Sequence, residues 1–224
     1  MAKRSLYTRT AALLVLIVLG GALSSLRAQS VNVYFGMGTA TDSASPVPLP
    51  TTPNPPDNVN SFARSSLGGV FGQFGADFML TPHFGVGGEY AFRFAQADYV
   101  AAFGLKDRPG FYDFNLVYMP KKEGKILPVF QAGLGGARVS YYVTQQSCSG
   151  LTACSTSSSL YDQATHFQGH FSGGIRWNLT DNIFVRPQVD LHWVHGYADP
   201  NVPVYGRDWV PQFTVAIGYS FGAH

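Results

Sequence analysis

The feature that most constrains this chain is its last stretch, Trp209-Val-Pro-Gln-Phe-Thr-Val-Ala-Ile-Gly-Tyr-Ser-Phe221. Its odd positions are Trp209, Pro211, Phe213, Val215, Ile217, Tyr219 and Phe221, and its even positions are Val210, Gln212, Thr214, Ala216, Gly218 and Ser220. A period of two over this length specifies a strand, because successive side chains leave opposite faces of the pleat. A soluble sheet would turn the large face inward and place charges outside. Here the opposite face is uncharged and made of small or polar residues, which suits a strand with lipid on one side and a narrow lumen on the other. Trp209 and Tyr219 share the apolar face ten residues apart, about 33 Å at roughly 3.3 Å per residue. Tilted by about 40°, that distance projects to about 25 Å, the height of the apolar band of a membrane-spanning barrel. Each ring then falls at a water boundary, where amphipathic aromatics are favoured.

Composition agrees. Of 224 residues, charged side chains are 12% and aromatic ones 14%, whereas a typical soluble domain is about a quarter charged. Residues 1–28 read as a signal peptide outside the fold: Lys3, Arg4 and Arg9 precede a short apolar run from Ala11 to Ala22, and Ala28 fits the last residue before cleavage. Residues 29–224 are then the barrel domain. The leader holds four of the 15 basic residues (Lys3, Arg4, Arg9, Arg27) and no acid, leaving 11 basic against 13 acidic, net −2. A basic character confined to the leader gives no reason to expect a nucleic-acid partner. Cys148 and Cys154 fall in one Ser/Thr-rich stretch, and in an exported chain they are expected to form a local disulfide.

The same alternation recurs along the chain, with strands expected at 31–37, 70–80, 84–94, 111–119, 127–143, 167–179, 183–193 and 209–221. In the fifth, the apolar phase slips from Phe130, Ala132 and Leu134 to Val139 and Tyr141, which predicts a bulge near Gly135–Gly136. Three-residue turns at 81–83 and 180–182 set Leu80 against Phe84 and Leu179 against Ile183. Short connections (81–83, 120–126, 180–182) alternate with long ones (39–63, 95–109, 144–165, 196–208), the first of them rich in proline. Membrane barrels show this asymmetry and sandwiches do not. The expected fold class is therefore all-β: an eight-stranded antiparallel up-and-down transmembrane β-barrel. Tyr118, Trp177, Trp193, Trp209 and Tyr219 are its expected interface aromatics. Pro187 and Pro211 fall inside strands and cannot donate to a ladder, so bulges or bends are expected to absorb them.

On this pattern the chain resembles the eight-stranded outer-membrane barrels of the OmpA/OmpX type over about residues 31–221. The resemblance implies location in the outer membrane of a Gram-negative-type envelope. It also implies that the barrel-assembly machinery reads the last strand (Phe213, Val215, Ile217, Tyr219, Phe221), here followed by Gly222, Ala223 and His224. No peptidoglycan-binding segment follows in this sequence.

The lumen face collects Asp77, Glu89, Arg93, Asp113, His170, Arg176, Arg186, Asp190 and His192. An interior just wide enough for side chains reads as a polar, ion-paired filling, with a narrow gated conduit as the alternative. The turn at 180–182 sets His170 opposite His192 and Arg176 opposite Arg186, with Glu89 or Asp113 expected to separate the arginines. Two facing imidazoles could hold a metal or sense pH, but no third ligand is evident, so no metal or cofactor is expected. His170-Phe171-Ser172 looks like the active-site motif of outer-membrane lipid A deacylases. Parity points His170 and Ser172 inward, and Gly173 stands where that family has Asn. The reading is a protein that is not an enzyme, with a structural or surface-interaction role through long extracellular loops toward an unknown partner. A lipid A-modifying hydrolase and a soluble lipocalin-like binder are the lesser alternatives.

Overall fold

The computed structural model describes residues 30–42, 47–48, 61–62, 67–100, 104–149, 153–198 and 204–222. Eight long strands form one sheet: β1 (Ser30–Ala40), β2 (Phe71–Met79), β3 (Phe84–Arg93), β4 (Leu105–Tyr118), β5 (Ile126–Ser149), β6 (Ala153–Asn178), β7 (Ile183–Val194) and β8 (Trp209–Gly222). Each pairs antiparallel with its sequence neighbours, and β1 pairs with β8, so the sheet closes on itself. No described helix is long and apolar enough to cross a membrane, which says nothing about a chain that crosses with strands.

The alternation fixes which way each side chain points. Along β8, Phe213, Val215, Ile217, Tyr219 and Phe221 are exposed and Gln212, Thr214, Ala216 and Ser220 are buried. The same phase holds for Phe114 and Leu116 on β4 (77% and 70% exposed) against buried Asp113 and Asn115. The greasy face is outside and the polar face inside, the reverse of a water-soluble barrel. Trp209, Trp177, Tyr118 and Tyr219 lie exposed near strand ends. Trp193 is directly opposite Trp209 across β7 and β8, packed edge-on against Phe167 at 6.5 Å.

The short-turn register follows from the turns themselves. The Leu80 and Leu179 amides donate to the Phe84 and Ile183 carbonyls at 3.0 and 2.9 Å, and Thr81 and Thr180 hydroxyls accept from the Phe84 and Ile183 amides within each turn. Inside the barrel, aromatics cross onto glycines. Tyr34 faces Gly75, where a Cβ would fall 2.1 Å from the ring, and Phe184 faces Gly218, where it would fall 2.2 Å away. These bare positions let the two rings lie flat inside a narrow lumen.

Four expectations need correction. There is no bulge at Gly135–Gly136: β4 and β5 stay in register from Leu105–Val143 to Tyr118–Phe130. The apolar phase changes because Ala137 and Val139 point inward into an apolar cluster in the outer part of the lumen, not because the pleat slips. The register shift falls instead at Tyr141/Tyr142 against β6, where Tyr161 is the extra residue. Second, 144–165 is not a loop. β5 and β6 run on as a ribbon in which Ser and Thr pair across from one another, with the tip at 150–152 outside the described residues. These strands have 24 and 26 residues, far more than the roughly 9–11 a membrane needs, so the hairpin projects beyond the barrel. Third, 95–109 is largely strand: Ala97–Val100 pairs with the outer end of β4. Within 39–63, β1 extends to Ala40, and Val47–Pro48 pairs with Ser61–Phe62; residues 43–46, 49–60 and 63 lie outside the described residues.

The fourth concerns the bulges expected at the prolines. Neither Pro187 nor Pro211 sits at a register shift. The β6–β7 ladder lacks the rungs between Val185–Trp177 and Gln188–Gly174, yet its spacing is unchanged on either side. The barrel tolerates Pro187 by omitting rungs. Pro211 lies just past the last β1 partner, Ala40, and its carbonyl accepts from the Thr41 amide at 3.0 Å. Its missing N–H therefore falls where the neighbouring strand ends.

Candidate functional site

The lumen is filled in layers. At the long-loop end Phe71, Phe111, Ala137, Val139, Val194 and Val210 form an apolar cluster that Tyr197 and Tyr205 enter from the 195–208 connection. The cluster is anchored by an ion pair: Arg93 Nη2 donates to Asp107 Oδ1 at 2.5 Å, both side chains fully buried. The Tyr205 hydroxyl donates to the other Asp107 oxygen, and burial pushes that phenol up, so it remains a donor. Sequence reasoning places Arg93 in the lumen but leaves Asp107, Tyr197 and Tyr205 in loops. The available signal was two tyrosines within a connection otherwise rich in Gly, Asp and Pro.

Below lies a three-ring stack. His192 is sandwiched between Phe111 (centroids 4.5 Å, 13° between planes) and His170 (4.9 Å, 21°). His170 and His192 are opposite one another in register. His170 Nδ1 is 2.9 Å from Asn115 Oδ1 and 3.3 Å from Asp113 Oδ1, and its Nε2 is 3.3 Å from Asp190 Oδ1. Oxygens on both sides match an imidazolium donating from both nitrogens. Ligand atoms of Asp113, His170 and His192, and of Glu89, His170 and Asp190, lie within 4.8 Å of each other. A third potential ligand is thus present after all. The nearly parallel rings nevertheless direct their in-plane lone pairs along separate planes, and both His170 nitrogens are hydrogen-bonded. The geometry is that of a carboxylate–imidazole clamp rather than a coordination sphere.

The middle layer centres on Arg186. Its Nη1 donates to Asp77 Oδ2 at 3.0 Å and its Nη2 to Glu89 Oε1 at 2.7 Å, with the guanidinium 3.7 Å over the Tyr34 ring. Tyr34 OH donates to Glu89 Oε1 at 2.5 Å, Gln73 Nε2 to Glu89 Oε2 at 2.8 Å, and Gln131 Nε2 to Asp77 Oδ1 at 3.2 Å. Gln188 donates to Asp190 Oδ1 at 2.8 Å, joining this group to the histidine clamp. Among the described residues Asp113 forms no ion pair with an arginine; it belongs to His170, with Asn115 and Gln168 as donors to it. The uncharged members Tyr34, Gln73, Gln131, Gln168 and Gln188 are absent from a reading based on charge alone, although each has lumen parity.

Nearest the short turns, Arg176 lies 4.2 Å over Phe184, with Nε donating to Asn178 Oδ1 at 2.8 Å and Nη1 to Asn32 Oδ1 at 2.9 Å. Met79, Val117, Met119 and Val129 form a small apolar cluster at this end. Ser172 points inward and donates to Gln131 Oε1 at 3.0 Å, while the His170 nitrogens face Asn115, Asp113 and Asp190 instead. The Cα atoms of Cys148 and Cys154 are direct partners across the projecting hairpin, while their side chains lie outside the described residues.

No protein-family model matches the chain, and no curated protein matches its sequence. Among solved structures it is similar to the neisserial surface protein A (NspA), 12% identical over 85% of this chain and 97% of that one, with a TM-score of 0.52. It is likewise similar to the outer membrane protein OprG from Pseudomonas aeruginosa, 12% identical over 88% and 97% of the two chains, also with a TM-score of 0.52. At these identities the likeness concerns the fold: a closed eight-stranded antiparallel barrel of the outer-membrane type.

Proposed function

We propose, from the premise that this chain has the eight-stranded outer-membrane barrel fold, that it is a closed surface scaffold. On this reading residues 1–28 direct export and are removed. Residues 29–224 insert into outer-membrane lipid, delivered by the barrel-assembly machinery through β8. The protein then acts without catalysis, by presenting its long connections to an extracellular partner. A disulfide between Cys148 and Cys154 would close the tip of the β5–β6 hairpin, since directly opposed strand residues have the Cα separation a disulfide requires.

The observation that carries the reading is the layered lumen. The apolar cluster with Tyr197 and Tyr205, the histidine clamp and the Arg186 group each draw side chains from several strands across the interior. On this reading the ion pairs and aromatic rings stacked across the interior close it to solutes. What differs from a minimal barrel is outside: a Ser/Thr-rich ribbon standing well clear of the apolar band, the sort of element on which a rigid scaffold carries binding.

The test uses the exported protein purified from the outer membrane, with its intact mass reporting leader removal and loss of two hydrogens at the cysteines. Reconstituted in planar bilayers, it is expected to give no stable single-channel openings. Tyr205→Ala with Asp107→Asn, which removes the anchor of the outer cluster, is expected to give brief ones. Stable openings of the unaltered protein would instead establish the conduit.

A further inference from the structure

The three lumen arginines are not equivalent. Arg93 is bridged to Asp107, and Arg186 lies between Asp77 and Glu89. Arg176 is also buried, at 5% exposure, yet among the described residues no carboxylate comes within 4.0 Å of it. Two neutral amide oxygens, of Asn32 and Asn178, and the face of Phe184 hold it in place. These contacts orient the guanidinium without an ion-pair partner, and a buried charge lacking one is costly.

Arg176 borders a cavity of about 710 Å³ at the short-turn mouth, a volume in the range of small-molecule sites. Lys122 and Lys125 stand on its rim, with Thr180 and Ser220 hydroxyls nearby. The opposing charges are Glu123, paired with Lys122 at 3.1 Å, and Asp181. The rim turn is fixed relative to the arginine: Asn178 accepts from Arg176 while its Nδ2 donates to the Gly124 carbonyl at 2.9 Å.

We infer that this vestibule is a binding site for a phosphate-type oxyanion, with Arg176 as its anchoring cation and Lys122 and Lys125 as attracting charges. A planar guanidinium with Nε and Nη1 already oriented offers its remaining N–H groups as a preformed donor set for such oxygens. The anion can come from a soluble phosphate compound or from a lipid headgroup bending into the mouth.

The barrel is refolded in phosphate-free, non-ionic detergent, with folding checked by its shifted migration before boiling. The Arg176 Nε–H resonance is followed as inorganic phosphate is added at constant ionic strength set by sodium chloride. A saturable shift is expected. It should weaken at least about tenfold in Arg176→Gln, the loss of a charge-assisted contact, and several-fold in Lys122→Gln with Lys125→Gln, both followed through the Asn178 side-chain amide. Arg176→Lys, which keeps charge but loses the fork, serves if the Gln variant does not fold, and is expected to bind several-fold more weakly. Nanodiscs of a neutral glycolipid in phosphate-free buffer, with or without added phosphatidylglycerol, identify the source: a shift that appears only with the phosphatidylglycerol assigns the headgroup. No saturable shift from either source in the folded barrel, or an unchanged one in both Arg176 variants, overturns the inference.

Discussion

Replacing Arg186 with Met is expected to destabilise the barrel by about 3–5 kcal/mol, because it leaves Asp77 and Glu89 buried without their cation. The two carboxylates belong to adjacent strands and share Tyr34 as a donor. Without the guanidinium they would repel one another in an interior of low dielectric. Arg186→Lys should recover only part of the loss, since a point-charge ammonium cannot span both carboxylates in the geometry the guanidinium fork provides. The informative control neutralises the whole group. Asp77→Asn, Glu89→Gln and Arg186→Met together are expected to lie within about 1–2 kcal/mol of the parent, because removing every charge also removes the desolvation cost. Reversible urea unfolding in lipid vesicles provides the measurement. If Arg186→Met alone unfolded like the parent, Arg186 would not be compensating buried charge.

The second large effect is expected on the outer face. Val215 lies about midway between Trp209 and Tyr219 and points outward. Val215→Arg should cost about 2–4 kcal/mol, whereas Trp209→Arg at the boundary should cost about 0–1 kcal/mol from its charge. With each Arg variant referred to Ala at the same position, the contrast reports depth, since both side chains are comparably exposed. In detergent-free water no such gradient would exist. Equal costs at the two positions would mean that no hydrocarbon band surrounds β8.

How much of this was legible in the sequence depends on height along the barrel. Within the membrane two constraints act together: lipid demands apolar side chains outside, and the pleat forces alternation. Strand phase, the Leu80–Phe84 and Leu179–Ile183 turns and the opposition of His170 and His192 all follow from them. Above the membrane the first constraint disappears. Ala137 and Val139 can then turn inward, against Phe71 and Phe111, without violating anything. A parity rule that assumes a polar interior reads that change as a bulge. The β5–β6 ribbon was hidden for the same reason, because a strand wet on both faces carries no hydrophobic period, and its Ser and Thr residues look like a loop.

The site was partly legible. Charges of lumen parity mark its corners, but partner choice depends on strand stagger. Stagger brings Asp77 of β2 and Glu89 of β3 to Arg186 of β7, and leaves Asp113 to His170. No single hairpin contains that information. Asp107 and Tyr205 are 98 residues apart and meet only because a loop folds back into the mouth.

The apolar face of this barrel is its outside, the side that lipid bathes. Single spin labels at 212 through 217, in protein reconstituted into liposomes, test it most directly through their accessibility to oxygen and to a water-soluble nickel complex. The prediction is a period of two: high oxygen and low nickel accessibility at 213, 215 and 217, and low accessibility to both at 212, 214 and 216. Labels at 213, 215 and 217 shielded from oxygen, with their neighbours open to the nickel complex, would contradict it.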